Sequence, residues 1–315
     1  MGALTLRDPR VTFEDNKIFL DMVENYFQQP EEEKMKDARP DIAYQIGVTP
    51  EGIETPKCVV DPECITKINS MEGENKPHLP VAADVKWRFF HKLGERPPVT
   101  NFPFLDHDPI LPAAFPDWRA KMDNWGLKLL QAGETLAEMA AIGFGLPAKT
   151  LVNLMKYAPH LLAPTASDLG KYGNKEQILA GYHQDLNFMT IHGKSRFPGL
   201  YIWLRNGQKL PVSIPDGCLL AQAGMQFEYL TGGKVMAGYH EVVVNDATLQ
   251  AIENAKAENR CLWRISSTVF THIASDNILK SVFEPVPPEI EAKFPPIAAG
   301  KQVENELKRI KLLKQ

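Results

Sequence analysis

The sequence predicts an α+β chain, with helices in the first half and a β-sandwich or closed jelly roll in the second, the helices packed on its outside. Three observations predict it. Apolar residues recur at helical spacing in two long stretches before residue 178; after residue 180 the pattern changes to short β runs; and turn signals separate those runs.

The first helical stretch runs from about Phe13 to Gln29, where Ile18, Phe19, Met22, Tyr26 and Phe27 share one face and Pro30 ends it. Residues 40–118 are proline-rich and irregular, with long loops flanking KWRFFHKLG. Loops of this length in a compact chain commonly form lids over a site. From Asp117 to about Gly145, Trp125, Leu129, Leu130, Leu136, Met139 and Phe144 fit a long helix packed against a sheet, and a shorter helix follows at about Lys149–Tyr157. The β runs are LNFMTIH, GLYIWLR, KLPVSI, CLLAQA, KVMAGYHEVVV and WRISSTVFTHI. Asn206-Gly207 predicts a two-residue type I′ hairpin and Gly232-Gly233 another tight turn. Residues 247–260 read as a helical insertion in the β region, and KQVENELKRIKLLKQ as an amphipathic helix that docks on its own domain or on a second subunit. One domain is expected over 1–315: a helical and loop cap (1–178), a core with the site (179–275) and a helical tail (276–315).

Composition narrows the function. The chain has 315 residues, 44% hydrophobic and 23% charged, enough apolar material for a large core. Its net charge of -4 gives no basic face wide enough for nucleic acid. No apolar run approaches membrane-spanning length, and the first ten residues lack a signal-peptide pattern, so a cytoplasmic protein is expected. The four cysteines, at 58, 64, 218 and 261, have no CxxC spacing and read as reduced thiols.

His183 and Asp185 are at i and i+2 in YHQDLNF, which in extended chain places both side chains on one face. His240, 55 residues after Asp185, lies on another β run. Two histidines and one carboxylate, with coordination positions left open, suit a non-haem iron(II) that must still bind a cosubstrate and dioxygen. Arg264 and Ser266 in WRISSTVF repeat the i, i+2 arrangement, and a guanidinium beside a hydroxyl is a receptor for a carboxylate. The implied ligand is a small diacid with one end there and the other at the metal. HxD alone arises often by chance. Its weight here comes from the order HxD, then His, then RxS, each in a β run.

In that order, HQD, GLYIW, PDGCLLAQAG, GGKVMAGYHEVV and RIS, the chain resembles the isopenicillin-N-synthase-like branch of the iron(II)- and 2-oxoglutarate-dependent oxygenases over about residues 20–275. ENYFQQPEEEK is similar to that family's FF-x-x-P-x-E-E-K helix end and NFPFL to its N-x-W-P loop. The resemblance implies a distorted double-stranded β-helix, iron at His183, Asp185 and His240, and the far carboxylate of 2-oxoglutarate at Arg264 and Ser266. It also implies oxidation of an unactivated C–H bond of a small molecule by O2, with hydroxylation preferred and cyclisation or desaturation in natural-product or amino-acid-like metabolism as the lesser outcome. The chain departs from the family in three places. Its N-terminus lacks the GFF and NHG pattern, HLLAPTASDLGKYG stands where the family has N-Y-Y-P, and the 24 residues from His240 to Arg264 exceed the usual interval. Tyr44, Gln45, Thr49, Trp87, Arg88, Phe90 and Phe188 are candidate substrate contacts. An iron oxidase of the same fold without 2-oxoglutarate, and a non-catalytic jelly-roll binder, are the alternatives.

Overall fold

The computed structural model describes residues 2–313. Two sheets face each other. The larger contains β1 (Ala3–Arg7), β2 (Gly47–Thr49), β3 (Trp87–Leu93), β4 (His160–Leu162), β5 (Thr165–Asp168), β7 (Met189–Gly193), β10 (Cys218–Ala223), β12 (Trp263–Ile265) and β13 (Ser267–Thr271). Its order is β1-β10-β7-β13-β4-β3-β5-β12, with β2 alongside β3. The smaller contains β6 (Ile178–Gln184), β8 (Leu200–Trp203), β9 (Lys209–Pro211) and β11 (Tyr239–Val243), in the order β6-β11-β8-β9. All neighbouring pairs in both sheets are antiparallel, the arrangement of a jelly roll.

Helix α1 (Phe13–Phe27) begins at a capping box in which Thr12 and Asp15 satisfy each other's backbone N–H groups. It buries Phe19, Met22, Tyr26 and Phe27 of the expected face together with Val23, whereas Ile18, read as part of that face, is exposed on the flank of the helix. After the short α2 (Glu31–Met35), the region read as irregular folds into β2, two short helices α3 (Lys57–Val60) and α4 (Pro62–Asn69), and β3. Strand β3 carries no sequence signal because both of its faces are covered: all seven residues are buried, so there is no solvent face to impose an alternation of polar and apolar positions. Trp87 and Phe89 enter the aromatic core, Phe89 against Tyr26 and Trp118, while Arg88 and Phe90 point to the opposite side. Five of the nine strands of the larger sheet thus precede residue 178, outside the segment expected to hold the core.

The long helix α5 (Trp118–Gly143) lies across the back of the larger sheet, against β3, β4, β7 and β13. Its Gly133 allows that approach, since a Cβ there would sit 2.9 Å from the Thr271 methyl. The helical insertion is present as Asp246–Ala257, capped by Asn245. The C-terminal helix Ala299–Arg309 docks on its own chain, with Val303 and Leu307 packed with Leu105 and Leu312.

Two expectations need correction. The β8–β9 hairpin forms, but Gly207 N–H closes the turn onto Leu204 O (2.9 Å) and Gly207 alone takes a positive φ (86°), so the turn is not type I′. The reason is length: Arg205 and Asn206 occupy the turn's centre and Gly207 the left-handed position after it. Cys58 and Cys64 are paired as a disulfide, with Cα atoms 5.0 Å apart, because the chain folds back between α3 and α4 at Asp61-Pro62. Cys218 and Cys261 are free, and burial pushes the Cys261 thiol up to about 11, which leaves it unreactive. Among the described residues, no helix is long and apolar enough to cross a membrane.

Candidate active site

Between the two sheets lies a cavity of about 690 Å³, within the range of small-molecule sites. Its smaller-sheet wall carries His183 and His240, which are directly opposite each other on the β6–β11 ladder. Asp185 follows one residue beyond the end of β6. The Asp185 Oδ1 atom is 3.7 Å from each histidine Nε2, and the three ligand atoms lie within 4.8 Å of one another. Each imidazole is fixed through its other nitrogen: His183 Nδ1 donates to Gly181 O (2.6 Å) and His240 Nδ1 to Gly238 O (3.3 Å). These bonds leave both Nε2 lone pairs facing the carboxylate. The other carboxylate oxygen accepts from Thr190 Oγ1 at 2.6 Å.

Electrostatics keep this set in its metal-binding form. Burial, reinforced by the neighbouring His183 ring, pushes His240 down to about 4, and burial likewise lowers His183. For Asp185 burial acts upward, but the two imidazoles and the Thr190 hydroxyl outweigh it and hold the carboxyl below its usual range. At neutral pH the site therefore presents two neutral imidazoles and a carboxylate. No other His, Cys, Asp or Glu among the described residues joins them. That donor set fits iron(II) with positions left open for small ligands.

The larger-sheet wall is cationic and hydroxylic. Arg264 on β12 is opposite Ser167 on β5, and the Ser266 N–H bonds to Thr165 O. Arg264 Nε donates to Pro198 O (3.1 Å), and among the described residues it has no carboxylate partner. Burial alone pushes its guanidinium down to about 10, still protonated at neutral pH. Ser266 Oγ accepts from the Thr165 N–H (3.0 Å), so its own proton is free to donate into the cavity. A buried cation without a counter-ion calls for an anionic ligand.

A further charged cluster stands beside them. Arg88 Nη1 donates to Glu54 (2.6 Å), Lys86 reaches Glu54 (3.3 Å) and Asp84 (2.6 Å), and Asp84 accepts from the Gly181 N–H (3.0 Å). Burial works to raise the Glu54 carboxyl, yet Arg88 and Lys86 hold it down to about 2. The cluster ends at Gly181, the residue whose carbonyl orients His183.

The sequence candidates separate cleanly. His183, Asp185, His240, Arg264, Ser266, Gln45, Arg88 and Phe90 line the cavity. Phe188 is wholly buried against Phe227 in the main core and Trp87 lies on the opposite side of β3, so neither faces a ligand. Tyr44 packs near the C-terminal helix outside the cavity wall, and Thr49 is buried behind it, across the β2–β3 ladder from Arg88. Glu54, Asp84, Lys86 and His192 were missed. Lys86, Arg88 and Phe90 stand two apart, a spacing that informs only once the segment is known to be a strand; nothing in the sequence marks Glu54 or Asp84 as their partners.

Facing antiparallel sheets with a candidate metal site on the smaller and a buried Arg on the larger make a double-stranded β-helix. No protein-family model matches the chain, and no curated protein matches it in sequence. Solved structures do match its fold. A 2OG-Fe(II) oxygenase family protein from Caulobacter crescentus superposes with TM-score 0.72 at 22% identity, covering 98% of this chain and 90% of that one. A full-length Neurospora crassa protein in complex with alpha-KG gives TM-score 0.72 at 18% identity, with 98% and 86% covered. The rice dioxygenase for auxin oxidation gives 0.64 at 14%, with 98% and 86% covered. The fold is that of the iron(II)/2-oxoglutarate oxygenases, as the sequence resemblance implied.

Proposed function

We propose that this protein is an iron(II)- and 2-oxoglutarate-dependent dioxygenase that oxidises an unactivated C–H bond of a small molecule, with succinate and carbon dioxide as coproducts. The observation that carries the reading is the pairing across one cavity of a three-ligand site with open positions and a buried arginine lacking a protein anion. A diacid spans such a pair. His183, Asp185 and His240 would hold the iron, and Arg264 with Ser266 would hold the far carboxylate of 2-oxoglutarate. The occurrence of alpha-KG in complexes of the similarly folded Neurospora crassa protein supports the choice of diacid.

When bound, iron and 2-oxoglutarate supply the oxidising chemistry with O2; the chain's own residues supply position and environment. The Gly181 and Gly238 carbonyls fix the imidazole tautomers, and Thr190 fixes the Asp185 carboxylate. Arg264 would neutralise the far carboxylate of the cosubstrate, and Phe90, Leu161, Phe270 and Leu307 give the cavity apolar walls that exclude water. Hydroxylation is the favoured outcome, with cyclisation or desaturation set by where the walls hold the substrate.

Conversion of 2-oxoglutarate to succinate by the iron(II)-loaded protein tests the reading. Arg264→Ala should raise the KM for 2-oxoglutarate by about a hundredfold, far more than it lowers kcat. Unchanged KM would overturn the assignment of Arg264.

A further inference from the structure

The cavity wall holds a second guanidinium that neither iron nor 2-oxoglutarate uses. Arg88 is buried, its side chain lies over the Phe90 ring (4.0 Å), and its Nη1 is committed to Glu54. Its Nε–H is buried and has no acceptor, and no acceptor meets Nη2 among the described residues. Nε and Nη2 form one edge of the guanidinium fork, an edge that takes a carboxylate through two parallel N–H···O bonds. An unmade hydrogen bond on a buried cation is costly, and a ligand oxygen removes that cost.

This edge is distinct from the 2-oxoglutarate anchor. Arg88 pairs with Thr165 on β5, and Arg264 on β12 pairs with Ser167 on the far side of β5, so the two arginines come from backbones two strands, about 10 Å, apart. Glu54 takes the Nη1 corner of the Arg88 fork and leaves Nε and Nη2 without a protein acceptor among the described residues. Arg88 and Lys86 already offset the Glu54 charge, and among the described residues no further free cation stands beside the edge to take a second carboxylate, so an acid held there is met by apolar wall along the rest of its length. The remaining wall is largely apolar, with Phe90, Leu161 and Phe270 grouped together.

We propose that Arg88 is a specificity-determining residue whose free Nε–Nη2 edge anchors the carboxylate of the primary substrate, a small monocarboxylic acid with an apolar body. This rests on the oxygenase reading and deepens it: the acid end is held on the larger sheet, leaving a C–H of the apolar body to face His183, Asp185 and His240.

The test is anaerobic calorimetry on the full-length protein with iron(II) and 2-oxoglutarate, using matched probes: octanoate, phenylacetate, cinnamate and N-acetylphenylalanine, each against its primary amide. The acids should bind, the best of them at least about tenfold tighter than its amide, and Arg88→Gln should weaken that acid by about thirtyfold or more while leaving the amide unchanged. Glu54→Gln, which removes the competing anion and keeps the guanidinium, should tighten acid binding. Succinate formation should rise with the acids that bind. Amides that bind as well as acids, acid binding unaffected by Arg88→Gln, or no acid bound at all would each overturn the proposal. Failure of the oxygenase reading is separately visible as a wild-type protein that binds the acids through Arg88 yet makes no succinate from 2-oxoglutarate.

Discussion

The two walls of the cavity do opposite jobs and are built in opposite ways. On the smaller sheet, three metal-ligand atoms come from two adjacent strands and the residue just beyond one of them, within 4.8 Å. On the larger sheet, the charged row is gathered from Glu54, the segment carrying Asp84, Lys86 and Arg88, and Arg264. A metal needs neutral or anionic lone pairs brought to one point, which a short motif and one ladder partner can supply. An anion receptor needs cations held apart in a desolvated wall, each with its own support. The difference teaches that the metal wall is made by one short motif and one ladder partner 55 residues on, whereas the ligand-selecting wall is assembled from several loops and strands.

The comparison can be broken from either side. The largest effect is expected at the smaller sheet: His183→Ala or Asp185→Ala should lower iron(II) affinity by about a thousandfold or more, on the order of losing one of three ligands, measured by anaerobic titration. Next is Asp84→Ala, which touches no ligand but removes the carboxylate holding Gly181, the residue that orients His183. Loss of such outer support should cost about ten- to a hundredfold in iron affinity. An unchanged affinity would mean that the two walls are independent. A smaller effect is expected from Ser266→Ala, about a three- to tenfold rise in the KM for 2-oxoglutarate, because Arg264 keeps the charge while one neutral hydrogen bond is lost.

The smallest is a pH effect. The Glu54 carboxyl is held down to about 2 in the folded protein, below its unfolded range, so the folded state binds fewer protons and Glu54 stabilises it above about pH 4.5. That contribution is lost as pH falls from there toward 2. Glu54→Gln should therefore flatten the acid limb of the unfolding free energy over that window, as read by denaturant melts at successive pH values.

The same contrast explains what was legible in the sequence. Helices α1 and α5 were readable because each buries one periodic face. The insertion at Asp246–Ala257 was readable from its composition, and it accounts for the long interval from His240 to Arg264. His183, Asp185 and His240 could be picked out because strand spacing puts i and i+2 on one face. Strands β2 to β5 could not, since β3 is buried on both faces and β4 and β5 are only three and four residues long. Phe188 was misread for the same reason as Arg88 was hard to weigh: which face of a short segment meets the cavity depends on pairing, and pairing is set by partners far along the chain.

The central claim is that one small diacid bridges the metal ligands of the smaller sheet and Arg264 of the larger. Adding 2-oxoglutarate to the anaerobic iron(II)-loaded protein and recording its visible metal-to-ligand charge-transfer band tests that claim most directly. The account predicts a band in the wild type, absent in His183→Ala and requiring much more 2-oxoglutarate in Arg264→Ala. Iron bound without a band would contradict it and favour a direct oxidase, and no iron bound would leave only a jelly-roll binder.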